Sequence, residues 1–528
     1  MSSRLARSAG LIGVATMASR VLGVARETVL AALFGAGAGP EMDAFNVAFR
    51  VPNLLRDLFA EGAMTAAFVP TFTRTLTERG REAAWRLGNL VINSLLLVTG
   101  GLVVIGIIFA APIIHTLAPK FGESPGKLEL TTELTRIMLP FLPTIAVSVA
   151  MMGMLNALRR FFIPALAPAM FNVATIGCAL ALVPLMPSVG LPRIAAIAIG
   201  TLVGGLGQIL LQWPVLRREG FRYQPVLDFK DPDLREVLRL IGPGTLGLAA
   251  VQINVVVNTI LASSEPQGAV SWLNAAFRLM YLPIGLFGVS IATAALPDIA
   301  RHATATDLPA IRRAVSGALR MMLMLNVPAT VGLMVLAQPI VALLLEHGRF
   351  HPSDTHATAA ALMFYAPGLL GYSAVKIASP TFYSLRDSRT PVIVSVLSVL
   401  ANLTMNLALV RIMGFRGLAL GTALAAMFNA VALFWLLGRR LGGLEGRRIA
   451  TSLLKIVIAS IVMGLAAWST SAWLTRAIPG DALLWKAVRV TAAIGSGVIV
   501  LIVSARLLRI AEFEEALKRV LRRFKPSS

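Results

Sequence analysis

The sequence predicts an all-α polytopic membrane protein of about fourteen transmembrane helices: two parallel six-helix lobes around a central cavity, then two additional C-terminal helices. Three observations predict it. Of 528 residues, 56% are hydrophobic and only 14% charged, whereas a soluble domain carries about 25% charged residues. Apolar runs long enough to cross a bilayer recur along the whole chain, and lipid leaves a spanning backbone only the helix or the closed barrel. Short matches also return in order at nearly constant spacing. "AFR" at 48–50 recurs at 276–278, Val69-Pro70 as Leu296-Pro297, "LRRFFIP" at 158–164 as "LRDSRTP" at 385–391, and "GT" at 200–201 at 421–422. Copies of six spans each enter from the same side, which makes the repeats parallel.

The first span, 8–35, begins in "MSSRLARSAGLIGVATMAS", which imitates a signal peptide. Hydrophobicity resumes directly after Arg20, so the segment is expected to stay as a span. Spans at 42–72, 87–118, 130–157, 163–186 and 192–216 complete the N-lobe, residues 1–225. The single cysteine, Cys178, lies in the fifth of these and has no partner for an intramolecular disulfide. The connection around 217–236 mixes both charge signs and is expected to pack as a surface helix. Spans at 237–263, 268–299, 314–346, 356–382, 390–412 and 415–438 form the C-lobe, residues 226–441. Two more, 449–475 and 484–507, fill residues 442–509. The tail, 510–528, has the period of a basic amphipathic helix and is expected on the anionic inner leaflet.

Net charge is +22. In a soluble chain that would indicate nucleic acid. Here most Lys and Arg fall in alternate loops such as "RTLTERGREAAWR" and "GRRLGGLEGRR", while the other loops, such as "GAGAGPEMD" and "SSEPQG", are poor in them. The positive-inside rule places the first set and both termini in the cytoplasm, with no nucleic-acid partner. No outer loop is long enough for a domain.

A charge at mid-bilayer costs roughly 2.5–3.5 kcal/mol on the translocon scale. The ionisable residues kept within spans are therefore the candidate site: Arg20, Arg26, Glu27, Asp43, Arg50, Arg56, Asp57, Glu61 and Arg278, with Lys376 more isolated. Arg50, Asn53, Asp57 and Glu61 share one helical face, and Arg56 points elsewhere. Glu27, Asp57 and Glu61 are expected to neutralise neighbouring arginines. The arginines outnumber those carboxylates and stay charged in any dielectric, so an anion such as a phosphate or diphosphate is the expected ligand. Lys376 reads as a snorkelling or locally paired lysine. Asn254, Asn258, Asn402 and Asn406 read as interhelical hydrogen-bonding groups. No P-loop, zinc motif or catalytic triad is present in the sequence, and three of the five histidines sit in the loop "EHGRFHPSDTH". No metal, no cofactor and no enzymatic activity are expected.

The segments "SRVLGVARE", "FGAGAGPEMDAF", "AFRVPNLLRDLFAEGAMTAAFVP" and "SWLNAAFRLMYLPIGLFGVSIATAALP" resemble the MurJ (MviN) lipid II flippases of the MOP exporter superfamily over nearly the full chain. The resemblance implies transport of undecaprenyl-diphosphate-disaccharide-pentapeptide (lipid II) from the inner to the outer leaflet of the bacterial inner membrane. It implies that Arg20, Arg26 and Arg278 hold the diphosphate, with Ser19, Asp43, Arg50, Asn53, Arg56 and Glu61 in supporting or gating roles. This sequence departs from the family pattern at Phe277 and Tyr281, where relatives often carry acids, and at Asp57, where some carry a basic residue. Carboxylates that bind sodium in some members are missing from the seventh and eleventh spans. Alternating access by a monomer is the expected mechanism, with the prenyl tail in lipid along a groove formed with the last two helices. Flipping of another diphosphate-linked glycan is the alternative within the class. A glycosyltransferase would need a base on a long outer loop, and a drug exporter an acidic cavity.

Overall fold

The computed structural model describes residues 2–58 and 62–514, which form helices and turns with no strand. The chain divides into two compact units, one of residues 1–271 with 347–351, the other of residues 272–346 with 352–528. The first contains α1 (Ser2–Phe34), α2 (Glu41–Arg56), α3 (Gly62–Ile108), α4 (Ala110–Leu117), α5 (Lys127–Met138), α6 (Phe141–Ala157), α7 (Phe162–Leu182), α8 (Ala195–Arg218) and α9 (Pro232–Ser263). The boundary of packing falls later than the 225/226 boundary that the repeat assigns, because α9 packs along α3. Helix α3 is bent at Gly80, whose φ of 83° turns the chain between one span and the next.

The second unit takes up α10 (Ala269–Pro283) from Trp272 onward, then α11 (Val289–Thr304), α12 (Leu308–Val335), α13 (Ala337–Leu344), α14 (Pro352–Tyr365), α15 (Gly368–Ser384), α16 (Arg389–Met413), α17 (Phe415–Leu441), α18 (Gly446–Ala477) and α19 (Leu483–Leu507). Pairs α16–α17 and α18–α19 pack along their lengths. Lipid supplies no hydrophobic drive for such pairing, so small residues and hydrogen bonds carry it. A Cβ at Gly421 would overlap Asn406 Oδ1. Asn402 Nδ2 donates across the pair to Thr422 Oγ1 at 3.4 Å, the interhelical role expected of it, and Asn406 Nδ2 donates to Asn402 Oδ1 at 3.0 Å within α16.

Among the described residues, each stretch read as a span is mainly helical, several of them interrupted by a short break. Among the described residues ten helices are long and apolar enough to cross a membrane, and eleven if the bent pair α14–α15 counts as one span. The spans not reached by that measure are α1 and α2, which carry the charges, and α9, of which Gln252–Ser263 counts as a shorter apolar helix.

The repeat is visible in the backbone. Helices break at Phe109 and Leu336, and restart after Pro140 and Pro367, each pair at the spacing of the sequence repeat. Arg159 and Arg386, equivalent in "LRRFFIP" and "LRDSRTP", both take left-handed conformations, with φ of 60° and 58°. The following N–H closes back on the helix in both, Arg160 to Leu155 O and Asp387 to Phe382 O. A π-helical turn begins at Asp57 in one copy and spans Ile284–Gly288 in the other.

Two expectations are corrected. The connection after α8 is extended from Phe221 to Asp228 rather than helical. Asn89 and Asn93 of α3 serve it as backbone partners: their Nδ2 groups donate to Arg222 O, Gln224 O and Val226 O at 3.0, 2.8 and 2.9 Å. The tail also does not begin as a free surface helix. Ile510 is buried, and Glu512 accepts from Ser452 Oγ at 2.7 Å and pairs with Arg320 inside the second unit. Residues 515–528 lie outside the described residues.

Candidate functional site

Charges of the first unit form three groups along α1 and α2. Near the start of α2, Asp43 is buried and both of its oxygens accept hydrogen bonds. Lys127 Nζ donates to its Oδ2 at 3.0 Å, as does Gly268 N at 2.7 Å. Ser271 N and Oγ donate to Oδ1 at 3.0 and 2.7 Å, and Asn46 Nδ2 reaches Ser271 Oγ at 3.1 Å. The carboxylate thus caps the first turn of α10, where free N–H groups and the helix dipole favour an anion. Lys127 also lies over the Phe121 ring, 4.1 Å from its centroid.

The segment 347–351 ties into the same end. Arg349 N donates to Ala32 O at 2.9 Å, and the Arg349 guanidinium lies 3.6 Å from Glu41. Gly348 touches the Ala32 carbonyl so closely that a Cβ would overlap it. Among the described residues no three His, Cys, Asp or Glu side chains gather as a metal site, in this segment or elsewhere.

About two turns before the end of α1, Arg26 Nη2 donates to Glu27 Oε1 at 2.6 Å, and the guanidinium lies over the Phe171 ring of α7 at 5.2 Å. The Arg26 side chain is 13% exposed, and its Nε has no hydrogen-bond partner among the described residues. About two turns earlier on α1, Ser19 O accepts from Asn172 Nδ2 at 3.1 Å. Arg20 is half-buried and makes no hydrogen bond or ion pair with the described residues.

The third group closes α2. Arg56 donates through Nη2 and Nε to Asp57 Oδ1, at 2.9 and 3.2 Å. Gln252 Nε2 of α9 and Asn53 Nδ2 reach Asp57 Oδ2 at 3.3 and 3.5 Å. Arg56 was expected to point away from Asp57. The π-helical turn that begins at Asp57 re-aims the side chains there and lets these neighbours meet. Arg50, on the same helix, is half-buried beside an apolar groove. Glu61 lies outside the described residues.

In the second unit Arg278 is half-buried on α10. Next to it in the chain, Phe277 stands 5.7 Å from Tyr281, 5.5 Å from Tyr365 and 6.1 Å from Tyr372. Phe277 and Tyr281 of this cluster are the two positions that depart from the acids relatives often carry. Lys376 is exposed on α15, as a snorkelling lysine would be. Cys178 is half-buried on α7, with Gly200 of α8 packed against its Cβ.

Sequence reasoning singled out Asp43, Arg26, Asn53 and Arg56 but not four residues that contact this stretch: Lys127 at Asp43, Arg349 at Glu41, Gln252 at Asp57 and Phe171 at Arg26. Lys127 had a usable signal, a basic residue at the head of a span in a connection where basic residues are sparse. Gln252 and Phe171 lie in runs that read as packing. With Asp43 and Glu41 paired at the start of α2, the rest of the charged stretch carries Arg20, Arg26, Arg50 and Arg56, of which Arg26 pairs with Glu27 and Arg56 with Asp57.

The sequence model of the family described as "Lipid II flippase MurJ" matches residues 30–487. A Vibrio cholerae protein named probable lipid II flippase MurJ is 34% identical over 532 residues, covering 96% of this chain and 98% of its own. The Burkholderia cenocepacia protein named lipid II flippase MurJ is 34% identical over 429 residues, 80% of this chain and 82% of its own. A solved structure of lipid II flippase MurJ in an inward closed conformation superposes with a TM-score of 0.76 at 26% identity, covering 94% of this chain and 99% of its own. An inward-facing MATE family transporter of the MOP superfamily, at a TM-score of 0.66 and 20% identity over 81% of this chain and 96% of its own, shares the fold.

Proposed function

The chain belongs to the lipid II flippase MurJ family, and from that premise we propose how its residues move the lipid. Arg20, Arg26 and Arg278 hold the diphosphate of undecaprenyl-diphosphate-disaccharide-pentapeptide, and Ser19, Asn53 and Arg56 with Asp57 shape the helices that present them. The observation that carries this reading is the unmatched donor capacity of α1: Arg26 is nearly buried with Nε unpartnered, and Arg20 has no partner among the described residues. A diphosphate supplies what they lack, as charge-assisted and bidentate bonds.

The two lobes rock in alternating access, and the chain works as a monomer in the bacterial inner membrane with both termini in the cytoplasm. The π-helical turns at Asp57 and at Ile284–Gly288 stand at equivalent places in the repeat and serve as its bending points. The knot of Asp43, Gly268 and Ser271 closes the outer end and opens for release. With the inside negative, an anion moving outward gains about 2.3 kcal/mol per full charge per 100 mV, which can drive net transport.

Depletion of the protein is expected to lower outer-leaflet lipid II while total lipid II is maintained. An unchanged outer-leaflet pool would refute the assignment. Orientation is checked with single cysteines in a Cys178→Ala background. Exposed Ser353→Cys reacts with an impermeant thiol reagent from outside, and Ser388→Cys does not; reversed labelling would invert the topology.

A further inference from the structure

The whole chain has 5 tyrosines against 24 phenylalanines, and three of the five meet at one place in the second unit. Tyr281 of α10, Tyr365 of α14 and Tyr372 of α15 surround Phe277, with ring centroids 5.7, 5.5 and 6.1 Å from its own. Tyr281 and Tyr372 also meet edge to face, at 6.5 Å. Tyr365 is buried, Phe277 and Tyr372 are half-buried, and Tyr281 is 43% exposed, so the group runs from the interior to an open face. Arg278 comes three residues before Tyr281, which puts both on one side of α10, about 4.5 Å apart along its axis. Packing alone does not call for tyrosine here. Phenylalanine fills the same space with no hydroxyl to satisfy, and it is the commoner ring in this chain.

We infer that this aromatic face is the subsite for the sugar bonded directly to the diphosphate, with the pyranose ring laid on Tyr281 and its edge toward Tyr372. The inference rests on the flippase reading above, in which Arg278 holds the diphosphate. A pyranose is apolar on its C–H faces and polar around its edge. Tyrosine offers the complement, a flat apolar face for the C–H groups and a hydroxyl for the edge. Small-molecule sites are built in this way, from aromatic walls with a few placed polar groups. Distance agrees with the chemistry. The first sugar is joined to the diphosphate through a single oxygen, so with the phosphate at Arg278 the ring lies about one helical turn away, where Tyr281 stands. Other occupants fit less well. A hydrocarbon chain has no use for the hydroxyls. A quaternary ammonium, which aromatic cages also take, would be repelled by Arg278.

The test measures binding of two lipids to the full chain in detergent: lipid II, and undecaprenyl diphosphate, which keeps the diphosphate and lacks the sugars. The unaltered chain should bind lipid II several-fold more tightly. Tyr281→Leu should lower lipid II affinity about fivefold or more, as loss of a ring contact does, and leave undecaprenyl diphosphate affinity within about twofold. Tyr281→Phe and Tyr372→Phe keep the ring contacts and lose one hydroxyl each. Both should unfold at an unchanged temperature and lower lipid II affinity about two- to threefold, and they carry the test if the Leu variant does not fold. Arg278→Ala should weaken both lipids alike. Equal losses for the two lipids in the tyrosine variants would make the cluster a support for Arg278 and overturn the subsite. Lipid II affinity unchanged in all three tyrosine variants would overturn it too, while leaving the flippase reading in place. Failure of the unaltered chain to bind either lipid would remove the flippase reading and the subsite together.

Discussion

The two ends of the charged stretch on α1 and α2 hold similar residues in opposite conditions. Near the start of α2, Asp43 is buried with four donors on its two oxygens, one of them a buried ammonium. At Arg26 the one carboxylate in contact leaves Nε without a partner. A charge in a membrane protein must be matched by something. Where the fold supplies every match, the charge is a fastening. Where it leaves valences open in a nearly buried place, our proposal is that a bound ligand supplies the match.

The comparison breaks most readily at the fastening. Asp43→Ala leaves Lys127 buried without its counter-charge, a change that costs about 3–5 kcal/mol in buried pairs. Membrane abundance and the midpoint of thermal unfolding should fall together. Adding Lys127→Met to Asp43→Asn should restore most of the loss, since Asn keeps an acceptor for the α10 cap and no charge remains unmatched. Molecules of Asp43→Ala that stay folded should still bind lipid II. Normal stability with binding abolished would move Asp43 into the ligand site.

The binding end should behave in the reverse way. Arg20→Ala, Arg26→Ala and Arg278→Ala each remove a charged hydrogen bond worth about 1.5–3 kcal/mol, so lipid II affinity should fall by about tenfold or more at preserved abundance. Arg26→Lys should recover only part, because an ammonium loses the fork and the planar stacking on Phe171. Lowered abundance with normal affinity in the Ala variants would make these arginines scaffold.

The contrast also marks how far the sequence could be read. Fold class, repeat and the identity of the charged residues were legible, because hydropathy and recurrence leave their mark on consecutive residues. The conformation of "LRRFFIP" and "LRDSRTP" shows this best: two dissimilar turns with the same left-handed arginine. Partnership was not legible. Nothing near Asp43 in sequence points to Lys127, Gly268 and Ser271, and only the packing of α5 and the start of α10 against α2 brings them there. Asp57 shows the same limit more sharply. The 3.6-residue period sent Arg56 to another face, and a π-helical turn, which periodicity cannot foresee, returned it. The connection after α8 defeated its charge pattern because two amides on α3 outcompete a local helix for its backbone groups.

The smallest effect belongs to Gln252, and it tests which side of the comparison Asp57 falls on. Gln252 Nε2 reaches Asp57 Oδ2 at 3.3 Å, a long bond to a side chain that is still 28% exposed. Water can take its place at that oxygen, so Gln252→Leu should cost no more than about 1 kcal/mol, the usual net value of one intramolecular hydrogen bond. Arg56 keeps both of its bonds to the other oxygen, and the Asp57 charge stays neutralised. Lipid II affinity should therefore change by less than about threefold, well under the loss at Arg26, and the unfolding midpoint should shift slightly downward. A drop in affinity as large as that of Arg26→Ala would mean that the Arg56–Asp57 pair is tuned by Gln252 to meet the ligand. That outcome would move the inner end of α2 from the fastenings to the binding site, and the boundary between matched and open charges would then lie between Asp43 and Arg50.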